Sequence, residues 1–198
     1  MLRQLSDDAL VNLTKRILPS LRTDRFVARL LEPGEARLMV KFRQENREHL
    51  ELWEPLRKPA FFTVSFWELN LRLTLRDFRE GKSVSFVILS SSGEEVLGVC
   101  NYTNLVRGTF QSCHLGYALA KKHEGEGIMF EALSLTNDYI FREIGLHRIM
   151  AGYLPHNLRS GRLLKRLGFE KEGLAKKYLK INGKWEDHIL TSLINPKN

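Results

Sequence analysis

Apolar residues along this chain fall into two rhythms that trade places. Dense short runs at Phe26 to Leu31, Ser83 to Leu89, Glu95 to Val106 and Ser112 to Ala120 predict strands, the later ones parted by Ser91-Ser92-Gly93 and Arg107-Gly108. Between the first two runs lie two stretches with helical spacing. Pro33 opens one that runs to about Glu48, with Ala36, Met39, Val40 and Phe42 on its inner face; the other spans about Phe62 to Glu80 and stops at Gly81. After Ala120 come a loop, a helix from about Gly127 to Ile144 closed by Gly145, and a strand from His147 to Leu154. A basic amphipathic helix over Asn157 to Leu167 ends at Gly168. Phe169 to Lys180 and Trp185 to Leu193 then read as two strands joined by the hairpin signal Asn182-Gly183. Ahead of all this, Ser6-Asp7-Asp8 can cap a short helix carrying Leu10, Leu13 and Ile17, which Pro19 would end.

No internal repeat, low-complexity tract or linker interrupts the order. The elements therefore predict one α/β domain with a mostly antiparallel sheet over residues 23–198, preceded by a helical extension over residues 1–22. With 198 residues, 43% of them apolar, the chain can build a sizeable core. Lys plus Arg outnumber Asp plus Glu by 31 to 23, a net charge of +8, which favours polyanionic partners such as nucleic acid, ribosomes or phosphorylated cofactors. Only Cys100 and Cys113 are present, without His or Cys at metal-binding spacing, so neither a disulfide framework nor a metal site is expected. The first residues lack an apolar stretch of signal-peptide length and no segment has the roughly 20 apolar residues of a membrane span, which sets the expectation of a cytoplasmic protein with no membrane contact.

Chemistry concentrates where the Leu115-Gly116-Tyr117-Ala118-Leu119-Ala120 strand gives way to the loop Lys121 to Glu126 and the helix start Gly127-Ile128-Met129. Such a junction aims several backbone N–H groups and the positive helix end at one spot, which suits a pyrophosphate. Gly125 and Gly127 leave the approach clear. By itself the G-x-G pattern also fits an ordinary loop. Its company narrows the reading. Arg148-Ile149-Met150-Ala151, Pro155-His156-Asn157, Arg159-Ser160 and Leu167-Gly168-Phe169 follow in order, and over about Thr23 to Leu193 the chain resembles the GCN5-related N-acetyltransferase (GNAT) family. Trp53-Glu54-Pro55, Gly98-Val99 with Asn101, Val106-Arg107-Gly108, the run Leu167 to Gly173 and Asp187-His188 resemble its RimJ-type branch, which acetylates the N-terminal alanine of a small-subunit ribosomal protein.

That resemblance implies a twisted, mostly antiparallel sheet of six to seven strands with a splayed parallel pair at strands four and five, flanked by about four helices. It implies acetyl-CoA as acetyl donor, held by Tyr117, Ala118, Leu119, Glu124, Gly125, Glu126, Gly127, Ile128, Met129 and Asn157. The acceptor would be the N-terminus of a ribosomal protein, and the basic surface also suits ribosomal RNA. Two departures stand out: Glu124 replaces the Gln or Arg usual in the family's loop, and Met129 its final small residue. With Glu126 beside it, Glu124 puts acid near an anion, which needs solvent exposure of both and an offset from Lys121 and Lys122. Cofactor binding should then rest on backbone amides.

Acetyl transfer needs a neutral amine, an oxyanion stabiliser and a proton donor for the departing thiolate. An α-amine titrates near roughly 7.7 to 8.0 against about 10.4 for lysine, so it needs little help from a base. The carboxylate and acid Tyr of some ribosomal-protein acetyltransferases would fall near Gly152 and Leu164, and neither is present. The remaining candidates are Glu54 as base or amine binder, His114 and Asp187 behind it, and Ser160 or Tyr178 near the thiolate. Each has a plainer reading: Ser160 as a first-turn cap, Glu54 as a prop for the Trp53 loop, Asn157 as a helix N-cap, and Arg159, Arg162, Lys165 and Arg166 as a solvated face. Two other functions fit the same chain, an RNA-binding ribosome-assembly factor with weak catalysis and an acetyltransferase of a small amine or antibiotic.

Overall fold

The computed structural model describes residues 17–197, so the helical arm expected from Ser6 onward lies outside the described residues. Two short strands come first, β1 (Ser20–Arg22) and β2 (Phe26–Arg29), followed by helix α1 (Ala36–Glu45), a single turn at Arg47–Leu50 and helix α2 (Val64–Arg79). Strands β3 (Val84–Ser90), β4 (Val96–Val106) and β5 (Ser112–Leu119) precede helix α3 (Ile128–Tyr139). Strand β6 (Arg148–Tyr153), helix α4 (Leu158–Arg166) and the hairpin of β7 (Glu170–Ile181) and β8 (Lys184–Ile194) complete the order.

All eight strands form one sheet in the order β1-β2-β3-β4-β5-β6-β8-β7. Every neighbouring pair is antiparallel except β5 and β6, the parallel pair that the resemblance placed at strands four and five. The strand added to the expected six or seven is β1, whose three residues are too few and too exposed to show an alternating pattern. Asn182-Gly183 makes the two-residue turn, since Ile181 pairs directly with Lys184 across it.

Alternation along the strands sends side chains to two cores. Phe86, Ile88, Cys100, Tyr102, Cys113 and Leu115 pack with Ile128, Ala132 and Leu133 of α3 and Leu164 of α4. Val87, Leu89 and Val99 pack on the opposite face with Met39 and Val40 of α1 and Trp67 and Leu71 of α2. Helix α2 buries Trp67, Leu71, Leu75 and Phe78 at three- and four-residue spacing, and Thr63 caps it by accepting the Phe66 N–H at 3.3 Å. Each of these large side chains contributes about 1.5–3 kcal/mol by leaving water. Helix α3, which presents the loop's amides, is pinned from below: the fully buried Tyr102 hydroxyl donates to Asn137 Oδ1 at 2.7 Å and lies 2.8 Å from Thr136 Oγ1.

Candidate active site

Strands β5 and β6 start together and then part. Their register runs from Ser112 opposite Arg148 to Leu115 opposite Ala151 and stops, although β5 continues to Leu119 and β6 to Tyr153. Beyond Ala151, β6 pairs only with β8, Gly152 with Leu190 and Tyr153 with Ile189. The Ala120 N–H donates to Leu97 O at 2.8 Å, so by strand alternation the peptide groups of Ala118 also face β4. Those of Tyr117 and Leu119 face the gap. Of the three backbone positions expected to meet a cofactor, two face this gap and the third faces β4.

The end of β5 leads through a 3-10 turn, Lys121–His123, into the loop. Gly125 and Gly127 adopt φ of 85° and 78°, left-handed values at which other side chains are strained, and Gly127 is the residue before α3. Among the described residues, none of the amides from Gly125 to Phe130 donates a hydrogen bond. They form an open cradle at the positive end of a helix. Ile128 and Met129 bury their side chains in the core, so each offers the cradle only its N–H. Asn46 braces the loop from the other side of the sheet by accepting the Lys121 N–H at 2.9 Å while donating to Phe42 O at 2.9 Å.

The two loop acids are balanced otherwise than the sequence implied. Lys122 pairs with Glu95 at 2.5 Å and holds that carboxyl below its ordinary value, and neither Lys121 nor Lys122 reaches Glu124 or Glu126. Glu124 is instead paired with Arg159 of α4 and lies 3.5 Å from His49 Nε2. Glu126 lies 3.3 Å from His123 Nδ1, and its carbonyl accepts from Arg25 at 2.9 Å. Neither acid is simply turned to solvent. Sequence spacing carried no sign of Asn46, His49 or Arg25, which reach the loop only because α1 and β2 fold back beside it.

Across the gap stands the first turn of α4. Asn157 is its N-cap, with Oδ1 accepting the Ser160 N–H at 3.1 Å, and its Nδ2 bonds to nothing among the described residues. Ser160 is therefore the capped residue and not the cap. Its hydroxyl lies 2.6 Å from that of Tyr117, a link between helix and strand. Burial pushes the Tyr117 phenol up to about 12. Gly161 fits α4 against Tyr153, since a Cβ there would sit 2.9 Å from the ring. Leu164, where the acid Tyr would fall, is 1% exposed in the core.

The Trp53-Glu54 segment packs beside α4 and the β7–β8 turn. The Trp53 and His156 rings are 5.6 Å apart, and Glu54 O accepts the Asn182 N–H of the β7–β8 turn at 2.9 Å. Glu54 gives one carboxylate oxygen to Arg43 at 2.8 Å and the other to Arg57 at 3.2 Å. Arg43 is buried against the rings of Phe42, Phe61 and Trp67. Tyr178 is not brought to the Ser160 hydroxyl; it is exposed on β7 with its ring 5.8 Å from that of His188. Asp187 accepts the Lys177 N–H at 2.8 Å inside the hairpin, and His114 Nδ1 is buried without a partner. Gly152 is exposed on β6, near Leu190 and His188.

An amide cradle at a helix start, joined to a strand whose peptide groups open into a parted parallel pair, defines an N-acetyltransferase. The chain belongs to the acetyltransferase (GNAT) domain family, which matches residues 25–170. It is 45% identical over 176 residues to the [ribosomal protein uS5]-alanine N-acetyltransferase of Escherichia coli (strain K12), covering 89% of this chain and 91% of that one. The crystal structure of the ribosomal-protein-S5-alanine acetyltransferase from Vibrio fischeri superposes with a TM-score of 0.87 at 40% identity, over 90% of this chain and 97% of the other. Mycobacterium smegmatis RimJ in complex with CoA-disulfide superposes with a TM-score of 0.82 at 29% identity, over 91% and 88%.

Proposed function

We propose that this enzyme transfers the acetyl group of acetyl-CoA to the N-terminal α-amine of a small-subunit ribosomal protein, with alanine first and serine or threonine tolerated. The observation that carries the reading is the parting of β5 from β6 beside the open amides of Gly125 to Phe130. The cradle suits the cofactor's pyrophosphate, and the freed peptide groups of Tyr117 and Leu119 suit its pantetheine arm, much as an added strand would. A thioester drawn into the gap meets backbone N–H groups able to stabilise its oxyanion. The choice of acceptor is supported by the similarity to the uS5-alanine enzyme of E. coli, and a cytoplasmic location follows from that acceptor.

Within this reading Asn157 Nδ2 contacts the cofactor, and the Ser160 hydroxyl meets the leaving sulfur. Glu54 positions the Trp53 segment at the acceptor rim, because both its oxygens are taken by guanidinium groups. An α-amine that is already partly neutral then needs no strong base. The test is incubation with acetyl-CoA and peptides that begin with Ala, Ser or Thr, beside a peptide with a blocked terminus and an internal Lys. Mass spectrometry should find acetyl groups on the free termini, and acetylation confined to the Lys overturns the assignment.

A further inference from the structure

We propose that Tyr117 and Ser160 act as a single proton-donating unit for the thiolate that leaves when acetyl-CoA gives up its acetyl group. The inference rests on the acetyltransferase reading above. Tyr117 lies on β5 two residues past Leu115, the last to pair with β6, and Ser160 lies in the first turn of α4 on the far side of the gap. Their oxygens are 2.6 Å apart, and among the described residues neither has another hydrogen-bond partner. So short a separation places one hydrogen between them.

Two hydroxyls carry two hydrogens. Burial keeps the phenol protonated, so with one hydrogen shared the other is always free, on whichever oxygen is not donating. The pair is thus one net donor at the mouth of the gap in either orientation. The Ser160 N–H is already spent on Asn157, and Leu164 one turn on is buried and has no hydroxyl; Tyr153, packed against Gly161 of the same turn, is a further hydroxyl close by, but only Tyr117 is hydrogen-bonded to Ser160.

When the tetrahedral intermediate collapses, the C–S bond breaks and its electron pair moves to sulfur. The free hydroxyl hydrogen passes to sulfur to give the thiol, and the shared hydrogen moves to the oxygen just vacated. The oxygen left bare recovers a proton from water, which carries the one shed by the acceptor nitrogen. Amide and thiol result, with the pair unchanged.

A positioned acid of this kind contributes about 10²- to 10⁴-fold. Tyr117→Phe and Ser160→Ala are each expected to lower kcat by roughly tenfold or more, with KM for acetyl-CoA and CoA affinity by calorimetry within about twofold of the parent. The double variant should be no slower than the slower single one, since the two act as a unit. Ser160→Thr, which keeps the hydroxyl, should recover most of kcat. The proton inventory in mixed light and heavy water should be curved for the parent and linear for Tyr117→Phe. A mere strand-to-helix tie predicts the opposite: weaker CoA binding, a lower Tm, additive effects and kcat within about twofold, and that result overturns the proposal. A parent that transfers no acetyl group at all brings down the acetyltransferase reading along with it, whereas active variants with unchanged kcat bring down the proton-donating pair alone.

Discussion

Arg159, in the first turn of α4, is ion-paired with Glu124, the residue that opens the amide-lined loop. The pair reaches from one wall of the parted strands to the other and neutralises an acid set beside the open amides of Gly125 to Phe130. Arg159 is largely exposed, so the effect is modest and screened by salt. Glu124→Gln is expected to tighten CoA binding about threefold, and Arg159→Ala to weaken it by about as much. Isothermal calorimetry at low salt reads both changes, and each should shrink in high salt. An unchanged affinity in both variants means that Glu124 is too far from the bound pyrophosphate to matter.

Glu54 has a structural task that can be weighed against any part in catalysis. Burial holds the Arg43 guanidinium below its ordinary value, and the adjacent Glu54 carboxylate works in the other direction by keeping it charged. Removing one partner of such a buried pair costs about 3–5 kcal/mol. Glu54→Gln should therefore lower Tm by roughly 6 to 20 °C for a domain of this size. Pairing it with Arg43→Met should return much of the loss by removing the stranded charge. If Glu54→Gln melts like the parent but loses most of its kcat, Glu54 belongs to the chemistry after all.

Gly98 on β4 tests how tightly the gap is built. A Cβ there would lie 2.6 Å from the carbonyl oxygen of Ala118 and 3.1 Å from Met129 Cε, so Gly98→Ala must push β5 away from β4 or α3 off the sheet. Overpacking of this kind costs about 1–3 kcal/mol. The expected outcome is a lower Tm together with a loss of CoA affinity of about tenfold, because Tyr117, Leu119 and the amide cradle all move. A destabilised variant with normal CoA affinity shows that the cradle tolerates the shift.

Alkali should destabilise the protein progressively from about pH 9 upward. Burial pushes the Cys100 and Cys113 thiols up to about 12 from an ordinary 9.0, and Tyr117 up to about 12 from 10.0. Groups whose titration is raised by folding stay neutral in the fold while the unfolded chain ionises. Their stabilisation is whole below pH 9 and is lost as pH rises toward 12, each thiol accounting for at most about 4 kcal/mol. Melts at stepped pH should give a level Tm up to about pH 8.5 and a steep fall above it. Thiol labelling should appear only as the fold is lost, and a Tm still level at about pH 11 contradicts the buried, neutral state of these groups.

Much of this was present in the order of residues alone. Dense apolar runs, Gly and Pro breaks and the Asn182-Gly183 turn determined seven strands and the four longer helices, because these depend on neighbours a few positions apart. The same local logic offered Gly125 and Gly127 as a candidate phosphate loop and Asn157 as a candidate N-cap, and only motif order, through the family resemblance, favoured the first over an ordinary loop. Only the tertiary structure decided where β5 and β6 part, which peptide groups face the gap, and which side chains meet there. Tyr117 finding Ser160, Glu124 finding Arg159 and His49, and Lys121 finding Asn46 are contacts between residues far apart in the chain. No periodicity encodes them, since each depends on how helices settle on the two faces of a twisted sheet. Tyr178, a candidate for the thiolate side, stands in the folded chain beside His188, on a hairpin bulged between Ala175 and Leu179.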